Sequence, residues 1–131
     1  MDDVGLRMQL IDCFNAQAGS PCILSLISEP PRTSIGLGVP ADLDWFRGHF
    51  PGQPVLPGIV QVHWAVLACR TVYGLPGSPR EIKRLKFKRV VEPPAELELA
   101  LARVGAHEAE FSFSNRGEPN SGGTLVFSET A

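Results

Sequence analysis

The chain has few of the features that mark secreted, metal-binding or nucleic-acid-binding proteins. Its 131 residues include three cysteines, Cys13, Cys22 and Cys69, which are far apart and contain no C-x-x-C pair. An odd, widely spaced set builds neither a disulfide framework nor a zinc site, so we expect reduced thiols, no metal and a cytoplasmic location. A formal net charge of −2 gives no reason to expect nucleic acid as a partner.

We expect neither a targeting segment nor a membrane-spanning segment from this sequence. The chain begins Met1-Asp2-Asp3, which is acidic where a secretory signal would be basic. It has no apolar run of about 18 residues, the length that a membrane span requires, so we expect none. A composition that is 44% hydrophobic and 20% charged is typical of a globular protein, and the length suits one domain over residues 1–131.

Hydrophobic patterns predict one long helix among several strands. Residues 5–17 are compatible with a short helix, while residues 22–27 and 34–39 read as strands that pair in a hairpin. A longer helix is predicted from Pro57 to about Tyr73, since proline is favoured in a first helical turn. Further strands are predicted over residues 82–91, 96–101, 110–114 and 124–128, with turn-rich residues 115–123 before the last one. An antiparallel sheet wrapped around one helix, an α+β fold, is the economical packing of this order.

The predicted long helix is apolar on most sides, which is typical of a buried helix. Ile59 and Val62 belong to one apolar face, and Val60 and Trp64 to another. His63 follows Ile59 by four residues and therefore falls within an apolar stripe. A histidine in such a stripe is most often a packed core residue, and this is one interpretation of His63.

A motif precedes and opens this helix. Residues 48–61 read G-H-F-P-G-Q-P-V-L-P-G-I-V-Q. They resemble the signature G-H-F-P-G-x-P-V/I/L-M/L-P-G-V-L/V-Q of the β-hydroxyacyl-acyl carrier protein dehydratases. The next residues, V-H-W-A, are most similar to the branch of that family found with aryl-polyene biosynthesis. The resemblance covers about residues 32–128, including the run L-K-F-K-R at residues 85–89, whereas residues 1–30 match only loosely, as an N-terminal extension.

The resemblance implies a hot-dog fold and a homodimer, or a higher oligomer of dimers, with active sites at the dimer interface. It implies dehydration of a 3-hydroxyacyl thioester, on acyl carrier protein or coenzyme A and without a cofactor, to a trans-2-enoyl product in fatty acid or polyene-type lipid biosynthesis. His49 would then be the catalytic base, and the main-chain N–H of Gly58 would polarise the thioester carbonyl. Phe50, Gly52 and Val55 complete the expected substrate site.

The second catalytic position departs from the family pattern. The family has Glu or Asp five residues after the glycine that opens the helix, and here that position holds His63. As an imidazolium, His63 can donate a proton to the leaving hydroxyl, and its titration would then be coupled to that of His49. The alternatives are a hot-dog thioesterase, or a non-catalytic thioester-binding homologue that has lost its acid.

Residues 83–89 carry five positive charges in a slightly acidic chain. The resemblance suggests Lys86, Lys88 and Arg89 as a docking site for an acidic carrier protein, which would bind in a salt-dependent way. A solvated strand face is the alternative interpretation of the same charges.

Four further side chains have open or ordinary interpretations. Phe46 and Trp64 either line an acyl tunnel or belong to the core or the dimer interface. His107 comes at a turn before a strand and is expected at the surface. Cys69 has no paired base in the sequence, so we expect no thiol nucleophile.

Overall fold

The computed structural model describes residues 3–15, 21–40, 55–75 and 77–128, which form two helices and a six-stranded antiparallel sheet. In chain order the elements are α1 (Asp3–Asn15), β1 (Cys22–Glu29), β2 (Arg32–Val39), α2 (Gly58–Tyr73), β3 (Pro79–Phe87), β4 (Ala95–Arg103), β5 (Glu108–Asn115) and β6 (Glu118–Phe127). The strand order is β1-β2-β4-β5-β6-β3, so β1 and β3 form the two edges. The predicted hairpin of β1 and β2 and the α+β class are both confirmed.

One face of the sheet is apolar because inward residues alternate with polar or exposed ones along the central strands. Ile35 of β2 lies opposite Leu99 of β4, and Leu99 lies opposite Phe113 of β5. All three side chains are fully buried. Cross-strand partners point to the same side of a sheet, so this row marks the face on which the helices pack.

Helix α2 is buried over most of its circumference. Its buried residues are Val60, Gln61, Val62, Trp64, Ala65, Leu67, Ala68 and Cys69. Ile59 is 74% exposed, and His63 and Arg70 are exposed as well. The prediction of a helix buried on most sides is therefore confirmed, apart from one exposed stripe that holds Ile59, His63 and Arg70. The apolar pattern does not say which side is covered, and the side that holds Ile59 and His63 is left open.

Helix α1 is part of the same core. Leu6, Leu10 and Phe14 recur at four-residue spacing, so they share one side of the helix, and they are at most 3% exposed. This side contacts α2 and β1. The segment that matched the family only loosely at the sequence level thus covers apolar surface that would otherwise face water. Neither helix in the described ranges is long and apolar enough to cross a bilayer.

Two strand boundaries differ from the predictions. β6 begins at Glu118 instead of Thr124, because Arg116 and Gly117, with φ of 53° and 81°, complete a tight turn directly after β5. Gly122 belongs to β6 and not to a turn. The position holds a glycine because a Cβ there would lie 3.1 Å from the carbonyl oxygen of Phe111. β3 ends at Phe87 instead of continuing to residue 91, since the next backbone N–H groups bond to Asn120 O outside the regular ladder.

Candidate active site

The first turn of α2 presents unpaired backbone donors. Pro57 is the N-cap residue, with φ −60° and ψ 143°, and it supplies no side-chain cap. Its carbonyl oxygen accepts the N–H groups of Val60 and Gln61, at 3.1 and 3.4 Å. The N–H groups of Gly58 and Ile59 have no acceptor within the described ranges. The first turn also has no acidic side chain, so its positive dipole is available to stabilise negative charge on a bound oxygen.

Buried contacts hold this turn on two sides. The N–H of Leu56 donates to the carbonyl oxygen of Val91 at 2.8 Å, and both side chains are buried. On the other side, the Ser121 hydroxyl donates to Gln61 Oε1 at 2.7 Å. Gln61 is 2% exposed, so losing this partner would leave a buried polar group unsatisfied, at a cost of about 1–3 kcal/mol. The position of the free donors is therefore fixed by the sheet.

The ring of Phe87 lies directly against Gly58. Phe87 pairs with Ser121, and Ser121 pairs with Phe113, so Phe87 points to the core side of the sheet. A Cβ placed on Gly58 would lie 2.7 Å from Cε1 and 2.8 Å from Cζ of Phe87. At the sequence level the glycine is explained by backbone access for a substrate. The structure gives a second reason, since the space that a side chain would need is occupied by Phe87.

The expected catalytic residues are described only in part. His63 lies on the open side of α2 and is exposed, which excludes a core role for it within the single chain. Val55 is half-buried just ahead of the helix. His49, Phe50 and Gly52, together with Phe46, lie outside the described residues, so their assigned roles stay predictions.

Three further residues are accounted for by packing. Trp64 is 1% exposed within the core cluster, in agreement with the core interpretation. Burial raises the pKa of the Cys69 thiol to about 12, so this thiol is protonated at neutral pH and is a poor nucleophile. The surface prediction for His107 is wrong: the residue is half-buried, and its Nδ1 atom is buried without a hydrogen-bond partner in the described part of the chain. Its carbonyl oxygen accepts the N–H of Phe127 at 2.7 Å, which draws the turn between β4 and β5 onto β6.

The basic residues of β3 and its extension divide into paired and unpaired ones. Lys83 lies 3.6 Å from Glu108, Arg84 donates to Thr124 Oγ1 at 3.1 Å, and Arg89 forms an ion pair with Glu118. Lys86 and Lys88 are exposed and have no ionic partner among the residues that the structure describes. These two lysines are therefore the charges most accessible to a partner.

Two contributors to the site escaped the sequence patterns. Phe87 and Ser121 both reach the start of α2 through the pairing of β3 with β6, which are far apart in the chain. Gln61 belongs to the motif and Phe87 to the basic run, but nothing in either segment indicates these contacts.

Comparison with known proteins gives matches over most of the chain. Residues 27–124 match the ApeI-like family, described as ApeI dehydratase. A 3-hydroxyacyl-acyl-carrier-protein dehydratase FabZ of Legionella pneumophila is 32% identical over 72 residues, 47% of this chain and 48% of its own length. The chain thus spans about half the length of this curated relative. A FabZ of Acetivibrio thermocellus is 30% identical over 112 residues, 76% of each chain.

A solved structure is similar over nearly its whole length. A chain of the dehydratase heterocomplex ApeI:P from Xenorhabdus doucetiae superimposes with a TM-score of 0.75 at 28% identity, covering 82% of this chain and 96% of that one. Together with the strand order, this likeness confirms the predicted hot-dog fold.

Gly58→Ala, tested alone and together with Phe87→Ala, measures the contact between these two residues. Alanine is favoured over glycine within a helix by about 1 kcal/mol. In the native background this gain is opposed by the Phe87 ring, which must move. We therefore expect Gly58→Ala to be more favourable, by about 1–2 kcal/mol in the free energy of unfolding, when residue 87 is alanine. Urea unfolding of the four proteins in the cycle gives the coupling.

Leu85→Ala supplies the matched background for this cycle. Leu85 is a 40% exposed apolar residue of the same strand, and the three atoms nearest to a Cβ at Gly58 all belong to Phe87 and none to Leu85. In the Leu85→Ala protein, Gly58→Ala should change the free energy of unfolding by the same amount as it does in the wild type. A coupling with Phe87 below about 0.5 kcal/mol, the usual scatter of independent sites, contradicts the contact.

Proposed function

Because the chain belongs to the ApeI-like dehydratase family, we propose that it dehydrates a 3-hydroxyacyl thioester to the trans-2-enoyl thioester. The observation that carries this proposal is the pair of N–H groups at Gly58 and Ile59 that have no acceptor among the described residues, five and four residues before His63 on the same helix. An acyl carrier protein is the proposed carrier of the substrate, as the name of the FabZ relatives states for those proteins.

The proposed reaction needs three groups that this chain supplies. Neutral His49 removes a proton from C2, and the electron pair of that bond forms the enolate. The negative charge grows on the thioester oxygen, which the free N–H groups of the first turn stabilise. The enolate then collapses to the C2=C3 double bond as the C3–O bond breaks, and protonated His63 donates its proton so that water leaves. Proton return from His49 to His63 through solvent completes the cycle.

We also propose that the site is completed by a second copy of the chain. Ile59 and His63 lie on the open side of α2, where a single chain covers neither. The edge strand β3 adds the apolar side chain of Ile82, which is 37% exposed. Exposed apolar groups beside an unpaired strand edge are typical of surfaces that associate. In the proposed homodimer, His49 of one subunit faces His63 of the other.

The test of this function is an assay of the purified protein with a 3-hydroxyacyl thioester. We expect the absorbance of the enoyl thioester to increase with time. His49→Ala should lower kcat by about 100-fold or more, since general bases contribute at least that much. Release of free thiol instead would identify a thioesterase. Binding without turnover would identify a non-catalytic homologue, and either result would overturn the proposal.

The role of His63 is tested by two substitutions. His63→Ala should lower kcat by about 100-fold or more if the imidazolium donates the proton. If His63 is instead a degenerate form of the family's acid, His63→Glu restores or raises the rate of dehydration. Loss of activity in both variants supports a genuine His/His mechanism and excludes the degenerate-acid interpretation.

Carrier docking on β3 is the third part of the proposal and has its own test. Lys86→Glu combined with Lys88→Glu should raise KM for a carrier-linked substrate on the order of tenfold, with a smaller effect at high salt. Arg89→Gln should have a weaker effect, since Arg89 is already paired with Glu118. Arg80→Glu reverses one charge at the far end of the same strand and is the matched control for Lys86→Glu alone. If Arg80→Glu raised KM as much as Lys86→Glu, net charge alone would explain the effect, and the proposed docking site would be contradicted.

A further inference from the structure

We infer that Phe87 is a specificity-determining residue, whose ring forms the wall along which the thiol arm of the substrate, a pantetheine-type chain, reaches the N–H groups of Gly58 and Ile59. This inference rests on the proposed function and specifies which part of the substrate the residue touches.

The position of the ring supplies the first step. Two ring atoms of Phe87 lie within 2.8 Å of the point where a Cβ of Gly58 would be. An oxygen bound to the N–H of Gly58 therefore places its thioester group next to the ring. Phe87 is 48% exposed, so one side of the ring contacts α2 while the rest is open to a ligand.

The surroundings of Phe87 separate the two branches of a thioester, the acyl chain and the thiol arm. Phe87 is the last residue of the edge strand, and Lys88, which follows it beyond the end of the strand, is an exposed cation without an ionic partner in the described ranges. A pantetheine arm carries amides and, in coenzyme A and carrier proteins, continues to a phosphate, which suits positive charge. An acyl chain gains nothing from a cation, so the open strand end beside Phe87 fits the arm better.

The sheet fixes the ring in this place. Phe87 is the strand partner of Ser121, whose hydroxyl binds Gln61 in the first turn of α2. The ring and the free donors are thus attached to the same pair of strands and move together. Because the Phe87 ring is fixed relative to the N–H groups that bind the thioester oxygen, it can select among substrates. A thiol arm in a different position would lose its contact with the ring, since the ring does not move to follow it.

The experiment varies one half of the substrate at a time. One 3-hydroxyacyl group is supplied as its pantetheine thioester and as its ethanethiol thioester, which lacks the arm, and kcat/KM is measured for both. The wild type is expected to prefer the pantetheine thioester, and Phe87→Ala should reduce this preference about tenfold, the scale of a lost apolar contact in a binding site. Phe87→Leu should retain part of the preference, and Leu85→Ala, the control on the same strand, should retain all of it.

A second series keeps the pantetheine arm and varies the length of the acyl chain. Phe87→Ala should leave the ranking of acyl chains unchanged. A changed ranking would move the ring to the acyl side and overturn the inference. Equal losses on the pantetheine and ethanethiol thioesters would overturn it as well, since they indicate a structural or dimer contact.

A binding measurement separates failure of this inference from failure of the proposed function. Free pantetheine is titrated into the wild type, Phe87→Ala and Leu85→Ala by calorimetry. If no variant dehydrates any thioester, yet pantetheine binds and only Phe87→Ala weakens it about tenfold, the arm wall stands and the dehydratase proposal fails. Absence of pantetheine binding by the wild type overturns the inference itself.

Discussion

The start of α2 must keep two backbone N–H groups free and still occupy one position. Unpaired donors normally favour movement, because a helix end can fray or turn toward any acceptor. Here the turn is held instead by groups that do not use those donors. Leu56 bonds to Val91 ahead of the helix, and Gln61 bonds to Ser121 behind it. Phe87 then fills the space over Gly58, so the free N–H groups are the part of the turn that still lacks a partner among the described residues.

This arrangement explains why the two sides of α2 differ so strongly. The side that faces the sheet carries Trp64 and the hydrogen-bonded Gln61, and both are nearly inaccessible. The opposite side carries Ile59 and His63 in the open. Position 63 can therefore change from a carboxylic acid to a histidine without disturbing the packed side. Under the proposed function, this substitution would alter the chemistry of the site and leave the packed side of α2 unchanged.

In the proposed reaction, a histidine in place of an acid at position 63 would change the charge of the site. A carboxylic acid that donates a proton passes from neutral to negative, whereas an imidazolium passes from positive to neutral. With His63 as donor, a positive charge is present while the enolate forms, and the two attract. The free N–H groups and the imidazolium would then share the stabilisation of one negative charge. Under the proposed mechanism, the geometry of α2, which carries both groups, would therefore be more important than in a site whose donor is neutral.

The sequence predicted local features well and non-local ones poorly. Helix α2 was predicted to within one residue because Pro57 and Gly74 mark its ends through their own backbone preferences. The hot-dog fold followed from the motif at residues 48–61. The start of β6 was missed because Gly122 looks like a turn residue. The glycine is explained instead by the close approach of the Phe111 backbone on the neighbouring strand. Exposure of Ile59 was missed for a similar reason, since an apolar pattern does not say which side another element covers.

The basic residues of strand β3 and its extension can protect a sheet edge or bind a partner, and the sequence alone does not separate these two roles. An edge strand needs charged residues to discourage uncontrolled pairing, and lysines commonly serve this purpose. That requirement alone would explain every cation between residues 83 and 89. The structure divides them, because Lys83, Arg84 and Arg89 bind neighbouring side chains of the same sheet. Lys86 and Lys88 flank Phe87 and are the exposed remainder. The side chains that protect the edge are thus mostly engaged, and the free charges are concentrated where the strand reaches the start of α2.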